Sequence, residues 1–97
     1  MEFEWDDDKW EGNLRVRHVD FAIAARIFDR PVIASEDRRR RYGEKRYRAI
    51  GSFEGQAYVV AYTYRGEICH IITAWKVGPK GERRYKALLG RRSPTDA

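Results

Sequence analysis

Cysteine is nearly absent from the 97 residues: Cys69 stands alone, which excludes an internal disulfide and a cysteine-rich metal site. Histidine is scarce as well. His18 and His70 have no carboxylate or thiol ligands at a recognised metal spacing, so no metal and no cofactor is expected. No apolar run approaches the ~20 residues that cross a bilayer, so no membrane partner is expected. Met1 is followed by acidic residues rather than by a basic stretch and an apolar run, so a cytoplasmic protein is expected. The chain also lacks a P-loop, His-Glu-x-x-His, Gly-x-Ser-x-Gly and a dinucleotide fingerprint, which excludes the enzymes built on them.

Charge is abundant and unevenly placed. Twenty Lys and Arg oppose fifteen Asp and Glu, net +5. Residues 1–37 carry ten acids and five bases, whereas residues 38–97 carry five acids and fifteen bases. The resulting field has a direction and favours either a polyanion or an acidic partner.

The strongest local signal lies between Gln56 and Lys76. Two runs rich in β-branched and aromatic residues flank Arg65-Gly66-Glu67, which reads as a hairpin. Upstream, Phe3-Glu4-Trp5 reads as a short edge strand, and Asp6 caps a helix running to about Arg17. Asp20 caps a second helix with Phe21, Ala24, Ala25 and Phe28 on one stripe, stopped by Pro31. Val32-Ile33-Ala34 starts a strand, and the charged stretch Glu36 to Gly43 reads as a loop. Arg46 to Phe53 is a further strand, closed by a Glu54-Gly55 turn. Pro79 opens a last helix with Tyr85, Leu88 and Leu89 on one side and Gly90 as its stop.

The order is β-α-α-β-β-β-β-α, an α+β fold with an antiparallel four-stranded main sheet and helices on one face. Residues 1–92 are expected to form a single domain, with 93–97 as a tail. The second sheet face is left to bind RNA, or else the last helix covers it.

Cleaving RNA without a metal requires removing the 2′-hydroxyl proton, stabilising a phosphorane and protonating the leaving oxygen. Arginine forks match phosphate oxygens, and lysine, histidine or tyrosine can move protons. Alternation puts Arg46 and Arg48 on one face of their strand. His70 and Lys76 share the last strand with Trp75 between them, and Arg83 and Arg84 flank the stripe of the last helix. Each has a plainer reading as a solvated strand residue, a hydrogen-bonded core histidine or a core tryptophan. Arg38 to Arg41 reads either as a phosphate-binding loop or as a charge run.

These residues, taken in order, resemble the BrnT toxins of type II toxin–antitoxin systems. The likeness is carried by Phe3-Glu4-Trp5-Asp6, Lys9, Asn13-Leu14 and His18; by Asp20-Phe21 through Phe28-Asp29 and Pro31; and by Tyr42-Gly43-Glu44, Arg46-Tyr47 and Ile50-Gly51. Val59-Val60, Tyr62-Thr63, Arg65-Gly66-Glu67, Ile71-Ile72-Thr73-Ala74 and Glu82-Arg83-Arg84-Tyr85 complete it. Two positions depart from the family pattern: Trp75 stands where it has arginine, and His70 where a basic residue is common. The resemblance implies a RelE-like ribonuclease fold, inhibition of translation by RNA cleavage and, as partner, a BrnA-type ribbon-helix-helix antitoxin. Operator DNA would then be bound only through the antitoxin, and the RNA could be mRNA on the ribosome. On spacing and resemblance together, Lys76 and His70 are expected to transfer protons. Arg46, Arg48, Arg65, Arg83 and Arg84 would hold phosphate and stabilise the transition state, while Lys9 and Asn13 position substrate. A non-catalytic RNA-binding module, or a degenerate toxin serving as an antitoxin-binding co-repressor, are the alternatives.

Overall fold

The computed structural model describes residues 1–91, with side chains placed up to Ala87. A short strand β1 (Glu2–Trp5) leads into helix α1 (Asp7–Arg17). The Asp6 carboxylate accepts from the backbone N–H groups of Asp8 and Lys9 at 3.0 and 3.1 Å, while Asp7 and Asp8 face the positive end of the helix dipole. The helix ends at His18, whose left-handed backbone (φ 57°) turns its N–H back onto Leu14. Asp20 then does two jobs with one oxygen. Its Oδ1 accepts from the Ala22 N–H, capping α2 (Phe21–Ala24), and from Trp10 Nε1–H, both at 2.9 Å. That second bond ties α1, which has no buried residue of its own, to the body of the protein. A 3-10 turn, Ala25–Asp29, prolongs α2 and stops ahead of Pro31.

Strands β2 (Ile33–Asp37), β3 (Arg46–Phe53), β4 (Gln56–Arg65) and β5 (Ile68–Lys76) follow, and α3 (Pro79–Arg91) closes the described chain. The order of elements is the expected one. The sheet differs: it has five strands in the order β1-β5-β4-β3-β2, because β1 pairs parallel to β5, with Glu4 opposite His70. The other pairings are antiparallel. Strand β2 also runs further than expected. Glu36 and Asp37 pair with Tyr47 and Arg46 rather than opening the loop, and their carboxylates hold Arg38 and Arg39 just beyond. Of the last helix's stripe, Tyr85 is buried, while the side chains of Leu88 and Leu89 lie outside the described set. The helix passes Gly90 and is described to Arg91. The expected tail at 93–97 lies outside the described residues.

Paired residues of an antiparallel ladder point to the same side, so the register sorts every side chain. One side carries Phe3, Trp5, Tyr47, Ala49, Val60, Tyr62, Cys69 and Ile71, and packs against Val19, Phe21, Ala24 and Ile27 of the α2 segment. Phe21, Ile27, Val60 and Ile71 are fully buried, each worth roughly 1.5–3 kcal/mol relative to exposure. Burial here pushes the Cys69 thiol up to about 11 and the Tyr62 hydroxyl up to about 12, so neither ionises near neutral pH. Helix α3 lies on the opposite side, where buried Tyr85 donates its hydroxyl to the Pro31 carbonyl at 3.3 Å. The helices are therefore not segregated to one face. No helix among the described residues is long and apolar enough to cross a membrane.

Gly51 sets how closely the 3-10 turn approaches the sheet. A Cβ there would stand 2.9 Å from both Ile27 Cβ and Val32 Cγ1. Gly51→Ala is therefore expected to destabilise the fold by about 1–3 kcal/mol through overpacking, read as a lower urea midpoint at unchanged m-value. A midpoint equal to wild type would mean that the turn is free to move.

Candidate nucleic-acid interface

The second side of the sheet owes its composition to a β-bulge. Tyr62 pairs with Ile71 but Ala61 pairs with Thr73, so Ile72 is left over. Without that extra residue, His70 and Trp75, five apart, would point to opposite sides. With it, His70 (opposite Thr63), Thr73 (opposite Ala61) and Trp75 (opposite Val59) share one side. Arg48 (opposite Ala61) joins them, and Arg46 follows by alternation. The same bulge separates the two residues expected to transfer protons. Lys76 pairs with Tyr58, on the side of the core, and so does not share a side with His70.

Two hollows result. The smaller, about 220 Å³, is lined by Asp6 and Lys9 at the start of α1, Glu44 and Arg46 before and on β3, Arg65 on β4, and His70, Ile71 and Ile72 on β5. It thus collects four of the nine expected site residues from four elements. His70 is largely enclosed, with its side chain 14% exposed, and its Nδ1 lies 3.1 Å from Glu4 Oε1. With Glu4 ionised, Nδ1 is the donor, which leaves Nε2 as the nitrogen that gains or loses a proton. Arg46 is held without being satisfied. Its guanidinium sits 4.2 Å from the Tyr42 ring centroid and its Nε 3.5 Å from Glu44 Oε1, yet that buried N–H has no hydrogen-bond acceptor. The Glu44 carboxylate at 3.5 Å offsets its charge without making a full hydrogen bond.

The larger hollow, about 750 Å³, runs between the sheet and α3. Arg48, Trp75, Lys76, Lys80 and Arg84 line it together with Ile33, Ile50 and Val59. Arg48 and Arg84 are thereby placed together, apart from His70, while Lys76 borders the groove from a register position that belongs to the other side. Arg83 is exposed and lines neither hollow. Asn13 has a structural task. Strand β1 covers β5 only as far as Ile71, and beyond that point Asn13 Nδ2 donates to the Ala74 carbonyl at 2.7 Å, while Thr73 Oγ1 donates to Asn13 Oδ1 at 3.4 Å.

The run Arg38 to Arg41 divides in two. Arg38 binds Glu36, and Arg39 reaches both oxygens of Asp37 at 2.9 Å, holding that carboxyl well below the usual carboxylate range. Arg40 and Arg41 are exposed. Glu44 and Lys80, which line the hollows, and Glu4 and Tyr42, which touch His70 and Arg46, were not among the expected site residues. Glu4 reaches His70 only through the β1–β5 pairing, which joins strands 66 residues apart and leaves no local trace. Among the described residues, no group of three or more His, Cys, Asp or Glu converges as a metal site.

A small α+β protein with an arginine-lined, histidine-bearing hollow on one sheet face fits the class of proteins that act on phosphodiesters. Residues 5–81 match the family described as ribonuclease toxin, BrnT, of type II toxin–antitoxin systems, and the chain belongs to that family. No curated protein matches it. The match takes in both hollows apart from Arg84 and Tyr85, and Arg83 lies outside it too. Asn13→Ala is expected to lower stability by about 1–3 kcal/mol, since it strips the Ala74 carbonyl of its donor. Thermal unfolding checks this, and an unchanged Tm would return Asn13 to the substrate contacts.

Proposed function

We propose that the chain is an endoribonuclease toxin that inhibits translation by cutting RNA without a metal ion. In this reading the cut is made in the hollow of Lys9, Arg46, Arg65 and His70. The observation that carries it is the His70–Glu4 pair at 3.1 Å, set beside the side chains of Lys9, Arg46 and Arg65 in one hollow. His70 takes the 2′-hydroxyl proton, and the 2′-oxygen attacks the adjacent phosphorus. Arg46 and Arg65 stabilise the phosphorane with their guanidinium groups. The Lys9 ammonium protonates the departing 5′-oxygen, leaving a 2′,3′-cyclic phosphate. Glu4 holds the imidazole in one tautomer and offsets the positive charge it gains. Lys76, expected to move a proton, is left outside the cutting hollow; Arg48 and Arg84 contact phosphate in the neighbouring groove, and Arg83 approaches more distant phosphates.

Family membership implies an antitoxin as partner. We take it to be of BrnA type, with a ribbon-helix-helix part through which the complex reaches operator DNA. We also take residues 1–92 as one toxin domain of RelE-like architecture, supported by four antiparallel strands with helices on both sides. Purified protein in EDTA is expected to cut single-stranded RNA to cyclic phosphate ends. His70→Ala should lower kcat by roughly 10²–10⁴-fold and abolish growth arrest on expression without the antitoxin. RNA that is bound but left intact would identify a non-catalytic binder. A harmless wild-type chain that still binds the antitoxin would identify a co-repressor subunit.

A further inference from the structure

The groove between the sheet and α3 lies outside the cutting hollow and has a composition of its own. Its floor is apolar, made by Ile33, Ile50, Val59 and the half-buried indole of Trp75. Its cations are Arg48, Lys80 and Arg84, and among the described residues no carboxylate lines it, whereas the cutting hollow has Asp6 and Glu44 on its wall. The volume of about 750 Å³ lies in the range of pockets that enclose a small organic ligand. An acidic peptide and a nucleic acid would both satisfy the charge. The indole on the floor favours a nucleic acid, since every base offers a π face to an aromatic ring. So does continuity. Arg46 and Arg48 stand two residues apart on one side of β3, roughly 7 Å along the strand, a separation on the order of one nucleotide step. A strand whose scissile phosphate sits at Arg46 passes Arg48 next and enters the groove.

We propose that this groove is a nucleotide-binding subsite for the RNA flanking the cut, with one base stacked on Trp75 and its phosphates held by Arg48 and Arg84. The proposal rests on the ribonuclease reading of the neighbouring hollow. Arg17, whose guanidinium lies 5.9 Å from the Trp75 ring centroid, fixes the indole from α1.

The test separates binding from chemistry by using a labelled 2′-O-methyl RNA octamer, which lacks the attacking hydroxyl, in fluorescence anisotropy over a salt series. Trp75→Ala is expected to weaken binding by roughly 5- to 100-fold at an unchanged salt slope, as loss of one stacked base requires. Trp75→Phe should restore most of it. Arg84→Ala should reduce the slope by about 0.7, one phosphate contact on a single strand. If Trp75→Ala does not fold, the exposed positions serve, and Lys80→Glu and Arg84→Glu must each weaken binding several-fold. Wild-type affinity in all these variants would overturn the subsite, as would loss of antitoxin binding at unchanged RNA affinity. Cleavage of unmodified RNA is scored separately. A wild type that binds through Trp75 yet cuts nothing keeps the subsite and removes the nuclease. A wild type that cuts while the variants bind normally does the reverse.

Discussion

The hydrogen-bonded register of β3, β4 and β5, with its one extra residue at Ile72, is the constraint on which the rest of the molecule depends. Side chains alternate along a strand, so this register decides which residues meet the α2 segment and which face the two hollows. A slip of one residue in β3 would drive Arg46 and Arg48 against Phe28 and Ile27 and lift Tyr47 and Ala49 out of the core. Burying unpaired guanidinium groups is costly enough to exclude that alternative. Function and stability are thus specified by the same pairing: the apolar side fixes the register, and the register delivers the cations to the other side.

The bulge has a sharper consequence. It moves Trp75 to the side of His70 and Lys76 to the side of Tyr58. The hollow with the histidine then contains Lys9, Arg46 and Arg65, and the groove with the indole contains Arg48, Lys80 and Arg84. The two compartments are neighbours, bridged by Arg46 and Arg48 of one strand. The acidic residues near the N-terminus have local tasks here: Asp6 and Asp20 cap helices, and Glu4 pairs with His70.

Much of this was legible in the sequence wherever a local rule acts. Asp6 and Asp20 are caps, Pro79 opens a helix, Arg46–Phe53 is a strand, and Gly66 (φ 62°) sits in the turn of the hairpin. Non-local facts were hidden. Parallel pairing of β1 with β5 has no short-range signature, and with it went the partner of His70. A bulge carries no residue type that announces it, so plain alternation from His70 put Lys76 beside it and Trp75 opposite. Asn13, four residues from Lys9 on one helix, reads as a second substrate contact, and the sequence does not show that its amide also bonds the β5 edge at Ala74 and Thr73. The side of α3 could not be read either, because Tyr85 is equally suited to either face until Pro31 is placed.

The two sheet faces offer rival platforms, since on the core side Tyr47 stacks on Tyr62, Tyr64 meets both edge-on, and Tyr64 is 46% exposed. The measurement that decides most directly is an NMR titration of the labelled protein with a 2′-O-methyl RNA strand. The account predicts shifts at the His70 ring and at the amides of Arg46, Arg48 and Arg65, with the α2 segment unmoved. Shifts confined to Tyr47, Tyr64 and α2 would contradict it.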